Sequence, residues 1–114
     1  MPYEIHQEKN YSQDARSVYD AALKSVEKLK GQVVSSKPDD LRIEVKFDKT
    51  LLGKVLGDRT QLTCVILTEG NESKVVIDAN PLDAVGRKLM FGARKGVTQT
   101  VIDLFIEHLE NNLK

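Results

Sequence analysis

Hydrophobic and charged residues alternate most regularly between Leu41 and Asp48, where every odd-numbered residue is apolar and every even-numbered residue is charged. Because successive side chains of a β-strand point to opposite faces, this alternation predicts a strand with one buried face and one solvated face. The charges of the solvated face alternate in sign. We therefore expect a sheet that helices cover on its apolar face only.

Four less regular segments also predict strands. They are Tyr3 to Asn10, Gln32 to Ser36, Thr60 to Thr68 and Lys74 to Ala79. Turn-forming residues separate the strands, among them Pro38 and Gly70. We expect Pro81 to end the last strand, because proline has no N–H group to donate to a sheet.

Apolar residues at helical spacing predict a first helix between Ser12 and Gly31. Its apolar face carries Ala15, Val18, Tyr19, Ala22, Val26 and Leu29. Residues three or four positions apart share one side of a helix, so this stripe should pack on the sheet. Ser12 is the predicted N-cap, Asp14 should then lie in the first turn, and Gly31 is the predicted C-cap.

A second helix is predicted to begin between Ala93 and Thr98 and to reach the end of the chain. Its apolar stripe consists of Val101, Ile102, Phe105, Ile106, Leu109 and Leu113. Val97, Leu104 and His108 should fall outside that stripe.

These elements predict an α+β fold in the order β-α-β-β-β-β-α. We expect a single antiparallel, twisted sheet of about five strands with both helices packed on one face. The length of 114 residues suits one domain over residues 1–114.

The composition restricts the partners of the protein. The chain has 17 basic and 17 acidic residues, so no global field attracts nucleic acid or an anionic membrane, and the balance of charge disfavours a nucleic-acid partner. Any electrostatic preference must come from a local excess of charge. No apolar stretch is long enough for a membrane-spanning helix. The polar N-terminus and the single cysteine, Cys64, predict a cytoplasmic protein.

The clearest local excess of charge lies between Gly86 and Gly96. Its cations are Arg87, Lys88, Arg94 and Lys95. They precede the second helix, whose acids lie toward its C-terminus, so this helix has its charges in the unfavourable order. A bound anion at the helix start would make that order favourable, which predicts an anion-binding segment. The alternative is a solvated surface whose lysine and arginine stems cover the edge of the core.

The apolar run from Leu51 to Gly57 raises a second question. If the preceding strand pattern continues, Leu51 and Val55 point inward and Leu52 and Leu56 point outward. Leu52 and Leu56 then form a patch for a partner or the rim of a ligand cavity. The alternative is a strand that curves and buries both of its sides.

No set of residues indicates catalysis or a bound metal. Cys64 lies among apolar residues and is expected to be a small core side chain. His6 and His108 have no ligand partner at strand or helix spacing, so we expect no metal and no cofactor. A nucleophile with a base, or an acid–base pair, is also missing, so we expect a protein that is not an enzyme.

The order of elements resembles two groups of proteins. The helix that ends at Gly31 and the step Phe91-Gly92-Ala93-Arg94 resemble small bacterial domains of unknown function, in which an aromatic-Gly-Arg sequence opens the last helix. In this chain the arginine is displaced by one position. The whole layout also resembles a shortened helix-grip domain of the START and Bet v 1-like class. That resemblance implies an apolar ligand, whereas the first implies no activity.

Three functions follow as hypotheses. The first is a non-enzymatic binding protein that holds an apolar small molecule between the sheet and the C-terminal helix. The second is a protein-interaction or homo-oligomerisation module that uses Leu52 and Leu56. The third is contact with an anion or a nucleic acid through residues 87–95.

Overall fold

The computed structural model describes residues 3–83, 85–89 and 96–114. It confirms the predicted α+β fold, with two helices and a five-stranded antiparallel sheet in the predicted order. The strands are β1 (Ile5–Tyr11), β2 (Gln32–Lys37), β3 (Arg42–Phe47), β4 (Thr50–Leu51), β5 (Lys54–Val55), β6 (Arg59–Glu69) and β7 (Glu72–Leu82), and the helices are α1 (Ala15–Lys28) and α2 (Val97–Leu113).

The large sheet has the strand order β1-β7-β6-β3-β2, and β4 pairs with β5 in a small separate hairpin. The inner face of the sheet and the two helices enclose one core. Its largest fully buried side chains include Tyr19, Phe47, Phe105, Ile43 and Leu62. The helices also share a polar contact, because the Ser25 hydroxyl of α1 donates to the Phe105 carbonyl of α2 at 2.8 Å. Since both helices lie on one face, the charged face of β3 stays outside the core.

The start of α1 differs from its prediction. Asp14, not Ser12, is the N-cap, and its carboxylate accepts hydrogen bonds from the backbone N–H and the hydroxyl of Ser17. These contacts lower the pKa of Asp14. An ionised carboxylate serves better here than a hydroxyl because it also interacts favourably with the helix dipole.

The end of α1 forms a Schellman motif in which a lysine takes the position expected for glycine. Lys30 has a φ of 56°, in the left-handed region, and its N–H donates to Glu27. The N–H of Gly31 donates to Val26 at 2.9 Å and completes the motif. Gly31 is therefore needed for space rather than for its φ, because a β-carbon there would lie 2.6 Å from Val45 and 2.7 Å from Phe47.

Strand β7 continues through Pro81 to Leu82, so the predicted end at Pro81 is wrong. The pairing explains how proline is tolerated. β1 accompanies β7 only as far as Ala79, whereas β6 continues to pair with it through Pro81 and Leu82. Pro81 thus lies beyond the β1–β7 ladder. On that side an isolated bridge between Leu82 and Lys88 follows, in which the Leu89 N–H donates to the Pro81 carbonyl, so the missing N–H of proline interrupts no regular ladder.

The apolar run between β3 and β6 forms the β4–β5 hairpin, which the sequence pattern did not predict. Leu51 is buried, as predicted, but Val55 is exposed and Leu56 belongs to the core. The two-residue turn at Leu52 and Gly53 breaks the alternation of the preceding strand, so the predicted faces of Val55 and Leu56 are reversed. Leu52 is exposed, as predicted.

Helix α2 begins at Val97, inside the predicted interval. Its predicted stripe is buried except for Leu113, which is partly exposed. Val97 was placed outside the stripe but is buried as well. Leu104 and His108 are partly exposed. In the part of the chain that the structure describes, no helix is long and apolar enough to cross a membrane.

Candidate functional site

A cleft of about 480 Å³ lies at the end of the sheet where β3 ends, β6 begins and β7 ends. Its lining residues are Lys30, Gln32, Lys46, Phe47, Asp48, Arg59, Leu82, Val85 and Gly86. We call it the end cleft. The antiparallel register brings these positions together, because Gln32 pairs with Lys46, and Arg59 pairs with Leu82.

The end cleft combines positive charge with apolar surface. Lys30, Lys46 and Arg59 supply three cations, against the single carboxylate of Asp48. That carboxylate lies 3.8 Å from the Arg59 guanidinium and also accepts the backbone N–H of Lys49. Charges of one sign around a concave, partly apolar surface reinforce one another and attract counter-ions. The cleft therefore has the chemistry to bind an anion that carries an apolar group.

One wall of the end cleft is an ordered turn that the Asp83 side chain holds in place. The Asp83 carboxylate accepts the backbone N–H groups of Val85 at 3.0 Å and Arg87 at 2.9 Å. The Asp83 backbone exchanges further bonds with Arg87 and Gly86. Gly86 has a φ of 88°, and a β-carbon there would lie 3.6 Å from the Lys46 ammonium. The turn thus brings backbone close to a lysine of the cleft.

Lys30 places a cation in the lining of the end cleft at a conformational cost. A left-handed conformation costs a non-glycine residue roughly 1–2 kcal/mol. Glycine is the usual residue at this position of a Schellman motif. Strained residues of this kind cluster at functional sites, so the presence of Lys30 in the cleft lining is consistent with a functional role for its ammonium group.

The structure describes two of the four cations of the predicted anion site. Arg87 and Lys88 belong to the turn that follows β7, and the Lys88 ammonium lies 3.6 Å from the Glu4 carboxylate. The backbone of Lys88 also forms an isolated antiparallel β-bridge with that of Leu82. Arg94 and Lys95 lie outside the described residues, as does the Phe91 to Arg94 step of the family resemblance. The anion-binding role of the four cations stays a prediction.

The predicted patch of Leu52 and Leu56 is also divided. Leu52 is 53% exposed, whereas Leu56 is only 9% exposed and packs in the core. The second exposed apolar side chain of the hairpin is Val55, at 77%. The alternation of the sequence could not predict that Leu56 is buried and Val55 exposed, because the turn residue Leu52 takes a left-handed φ of 51° and reverses the chain.

Neither Cys64 nor the potential metal ligands form a reactive site among the described residues. Cys64 is completely buried, and burial raises the pKa of its thiol to about 12, so the reactive thiolate is not accessible. No group of three potential metal ligands lies together within residues 3–83, 85–89 and 96–114.

His6 has carboxylate partners that the sequence pattern did not predict. Its Nδ1 lies 2.7 Å from Asp78 and its Nε2 lies 2.7 Å from Glu8. The hydrogen bond to Glu8, followed by that to Asp78, raises the pKa of His6. Two signals were missed: Glu8 lies two residues after His6, which is strand spacing, and His6 pairs with Asp78 across the β1–β7 ladder. The two carboxylates contact opposite nitrogens of one ring, which favours a charged imidazolium over a metal site.

A second polar cluster joins β1 to the end of α2. Lys9 and Tyr11 both donate to the Glu110 carboxylate, and the hydrogen bond from Lys9 is the main cause that lowers the pKa of Glu110. Burial, and then the hydrogen bond to Glu110, raises the pKa of Tyr11. A shallow cleft of about 500 Å³ lies beside this cluster. Since Lys9 and Glu110 pair with each other, the cluster is better explained as a contact that fixes α2 on the sheet.

Comparisons with known proteins give structural neighbours only. No family model matches the chain, and no curated protein sequence matches it. Ara h 8.0201 superposes with a TM-score of 0.62 over 97% of this chain and 97% of its own, at 8% identity. CV1439 from Chromobacterium violaceum gives 0.61 at 12% identity, over 99% of this chain and 95% of its own.

The same order of helices and strands also superposes on part of longer proteins. BexL, a di-domain ARO/CYC from the BE-7585A biosynthetic pathway, gives a TM-score of 0.60 at 11% identity. The superposition covers 96% of this chain but 46% of BexL, so the chain spans about half of that protein.

The chain has a helix-grip fold. Its neighbours belong to the Bet v 1-like type, which confirms the resemblance to that class at the level of the fold. Identities of 8–12% establish no more than the fold, and proteins of one fold carry out unrelated functions.

Proposed function

We propose that this protein is a non-enzymatic binding protein whose end cleft takes a small molecule with an anionic group and an apolar body. The helix-grip fold is a ligand-binding fold, which supports the general class. The chemistry of the ligand follows from the cleft. The main support for an anionic, partly apolar ligand is that Lys30, Lys46 and Arg59 line the same cleft as the apolar residues Phe47 and Leu82.

The charges favour an anionic ligand over a neutral one. Among the described residues, Lys30 and Lys46 form no ion pair, so their charges are not neutralised by a neighbour. The Arg59–Asp48 contact at 3.8 Å is long and exposed, and such contacts contribute little stability. An incoming carboxylate, sulfonate or phosphate can therefore bind without first breaking a strong ion pair.

A site between the sheet and α2, the place predicted from the sequence, is the weaker candidate. Ile102 and Phe105 on α2 and Ile77 on the facing strand are 0–1% exposed. An apolar ligand there would have to displace side chains that already fill the interior, and close-packed cores resist such insertion. The end cleft needs no such rearrangement.

Binding of 8-anilinonaphthalene-1-sulfonate, which joins a sulfonate to an aromatic body, tests the proposal. Its fluorescence titration against folded protein should saturate with one site. Lys46→Gln should weaken binding about tenfold, because a hydrogen bond to a charged group contributes about 1.5–3 kcal/mol. The matched control is Lys37→Gln, an exposed lysine at the other end of the β2–β3 pair.

Two results would overturn the proposal. One is equal binding by Lys46→Gln and by wild type, which would place the probe elsewhere. The other is the absence of saturable binding to the folded protein. Circular dichroism melts of each variant ensure that the probe reports a folded site.

A further inference from the structure

A basic end is built into a chain whose total charge is zero. The basic end consists of the residues around the carboxyl ends of β3 and β7 and the β4–β5 hairpin. Five of its cations form no ion pair with any residue that the structure describes: Lys30, Lys46, Lys49, Lys54 and Arg87. The acids of this end, Glu4, Asp48, Asp58 and Asp83, are already engaged. Glu4 lies near Lys88, Asp48 lies near Arg59, and Asp83 binds backbone N–H groups.

The opposite end of the sheet carries the compensating acids. Glu69 and Glu72 flank the β6–β7 turn, and Asp39 and Asp40 lie in a short 3₁₀ helix before β3. Asp14 caps α1 at the same end, where Ser73 donates to the Gln13 carbonyl. The charge of the protein is therefore separated along the sheet, and the basic end can attract an anionic surface that the whole molecule cannot.

The β4–β5 hairpin presents two apolar side chains at the basic end. Leu51 and Leu56 anchor the hairpin in the core, and the Leu56 N–H donates to the Lys49 carbonyl at 2.7 Å. Leu52 and Val55 project from this anchored base, 53% and 77% exposed. We call these two residues the hairpin tip. Lys49 lies three residues before Leu52, and Lys54 directly precedes Val55.

The hairpin tip departs from the usual chemistry of a two-residue turn. Such turns favour asparagine, aspartate or glycine where φ is positive. Leu52 has a φ of 51° and no compensating burial. An exposed, branched apolar residue in this conformation is unfavourable in the isolated protein, so its presence indicates an interaction outside the chain.

We propose that the basic end docks on an anionic lipid bilayer, with the hairpin tip inserted among the headgroups and the five unpaired cations over the lipid phosphates. Apolar side chains that enter the interface together with nearby lysines are the combination that binds such surfaces. Each basic residue near an anionic membrane contributes about 1 kcal/mol. This inference goes beyond the ligand-binding role of the end cleft and does not depend on it.

A second copy of the chain fits this surface less well. The complementary acids lie at the other end of the molecule, so two copies would join head to tail. Head-to-tail contacts produce open chains of molecules unless their rotation closes a ring. Flexible lysines at scattered positions also suit a diffuse anionic surface better than a shaped protein partner.

Co-sedimentation with vesicles tests the proposal. Wild type should bind vesicles of phosphatidylcholine and phosphatidylserine, and binding should be at least tenfold weaker with phosphatidylcholine alone. The double substitution Leu52→Asn with Val55→Ser should reduce binding to the anionic vesicles about tenfold or more. Replacing Lys49 and Lys54 by Gln should reduce it roughly fivefold for each cation.

The chain offers matched controls. Leu67→Ser removes an exposed apolar side chain of β6 near the acidic end, and Lys37→Gln removes an exposed lysine there. Both variants should bind the vesicles like wild type. The tip variant should keep its affinity for the fluorescent sulfonate, so loss of vesicle binding and failure of the end cleft give different results.

Three outcomes would overturn the inference. Wild type could fail to sediment with anionic vesicles, or the tip variant could bind them as well as wild type. Light scattering could also show an oligomer in wild type that the tip variant dissociates. The last result would assign the hairpin tip to a protein contact instead.

Discussion

A β-carbon at Gly31 would lie 2.7 Å from the ring of Phe47, well inside van der Waals contact. Gly31, the second residue after the C-cap Leu29, therefore has no room for a side chain above the end of β3. Gly31→Ala should destabilise the protein by about 1–3 kcal/mol, because the rigid ring and the Val45 methyl cannot both move aside. Urea denaturation measures the change.

A second substitution separates the steric cause from a loss of backbone freedom. Phe47→Leu removes the ring atoms that the new methyl would meet, so Gly31→Ala should cost less in that background. The coupling energy should be at least 0.5 kcal/mol, as for residues in contact. Additive effects would mean that the Phe47 ring is not the obstacle and would leave the Val45 methyl, at 2.6 Å, as the steric cause.

Leu52 and Leu56 should respond differently to truncation, although they are four residues apart in one apolar run. Leu56→Ala should cost about 2–5 kcal/mol, because Leu56 packs in the core. Leu52→Ala should stay within about 0.5 kcal/mol, because its side chain is half exposed. Thermal melts of the two variants provide the comparison, and equal losses would contradict the hairpin geometry.

The sequence was sufficient for the fold because each main element has its own periodic signal. The alternation from Leu41 to Asp48 and the apolar stripe of α1 agree with the buried residues of the structure. Local capping chemistry was less certain, since Ser12 and Asp14 are both acceptable N-caps. The structure selects Asp14, whose carboxylate reaches Ser17.

The end cleft could not be predicted, because its residues come from four separate parts of the chain. Lys30 and Gly86 meet there only through the strand register and the turn that Asp83 organises. The basic segment was recognised from its local charge, but the cations of the cleft are isolated in sequence. Charge alternation on β3 made Lys46 look like an ordinary solvated residue.

His6 should make the stability of the protein depend on pH. Its contacts with Glu8 and Asp78 raise the pKa of the folded imidazole above the usual value of 6.5. The folded state then binds a proton more strongly than the unfolded state. The added stability is fully present below the unfolded pKa and is lost as the pH rises through the higher folded pKa.

The comparison of wild type with His6→Gln isolates this effect. The urea midpoint of wild type should fall relative to that of the variant between about pH 6 and pH 8. A difference that stays constant over this interval would contradict the prediction. Sodium chloride should reduce the effect, because the three side chains are exposed and their interaction is screened.

Lys30→Gly should stabilise the protein and weaken its ligand binding at the same time. Glycine adopts the left-handed conformation of this cap without strain, so the free energy of unfolding should rise by about 0.5–1 kcal/mol. The substitution also removes one of the cations of the end cleft, so affinity for the fluorescent sulfonate should fall several-fold. Lys28→Gln, at the same helix end but outside the cleft lining, should leave that affinity unchanged. If Lys30→Gly raised stability without any loss of affinity, the lysine would have no role in the cleft, and its unfavourable conformation would need another cause.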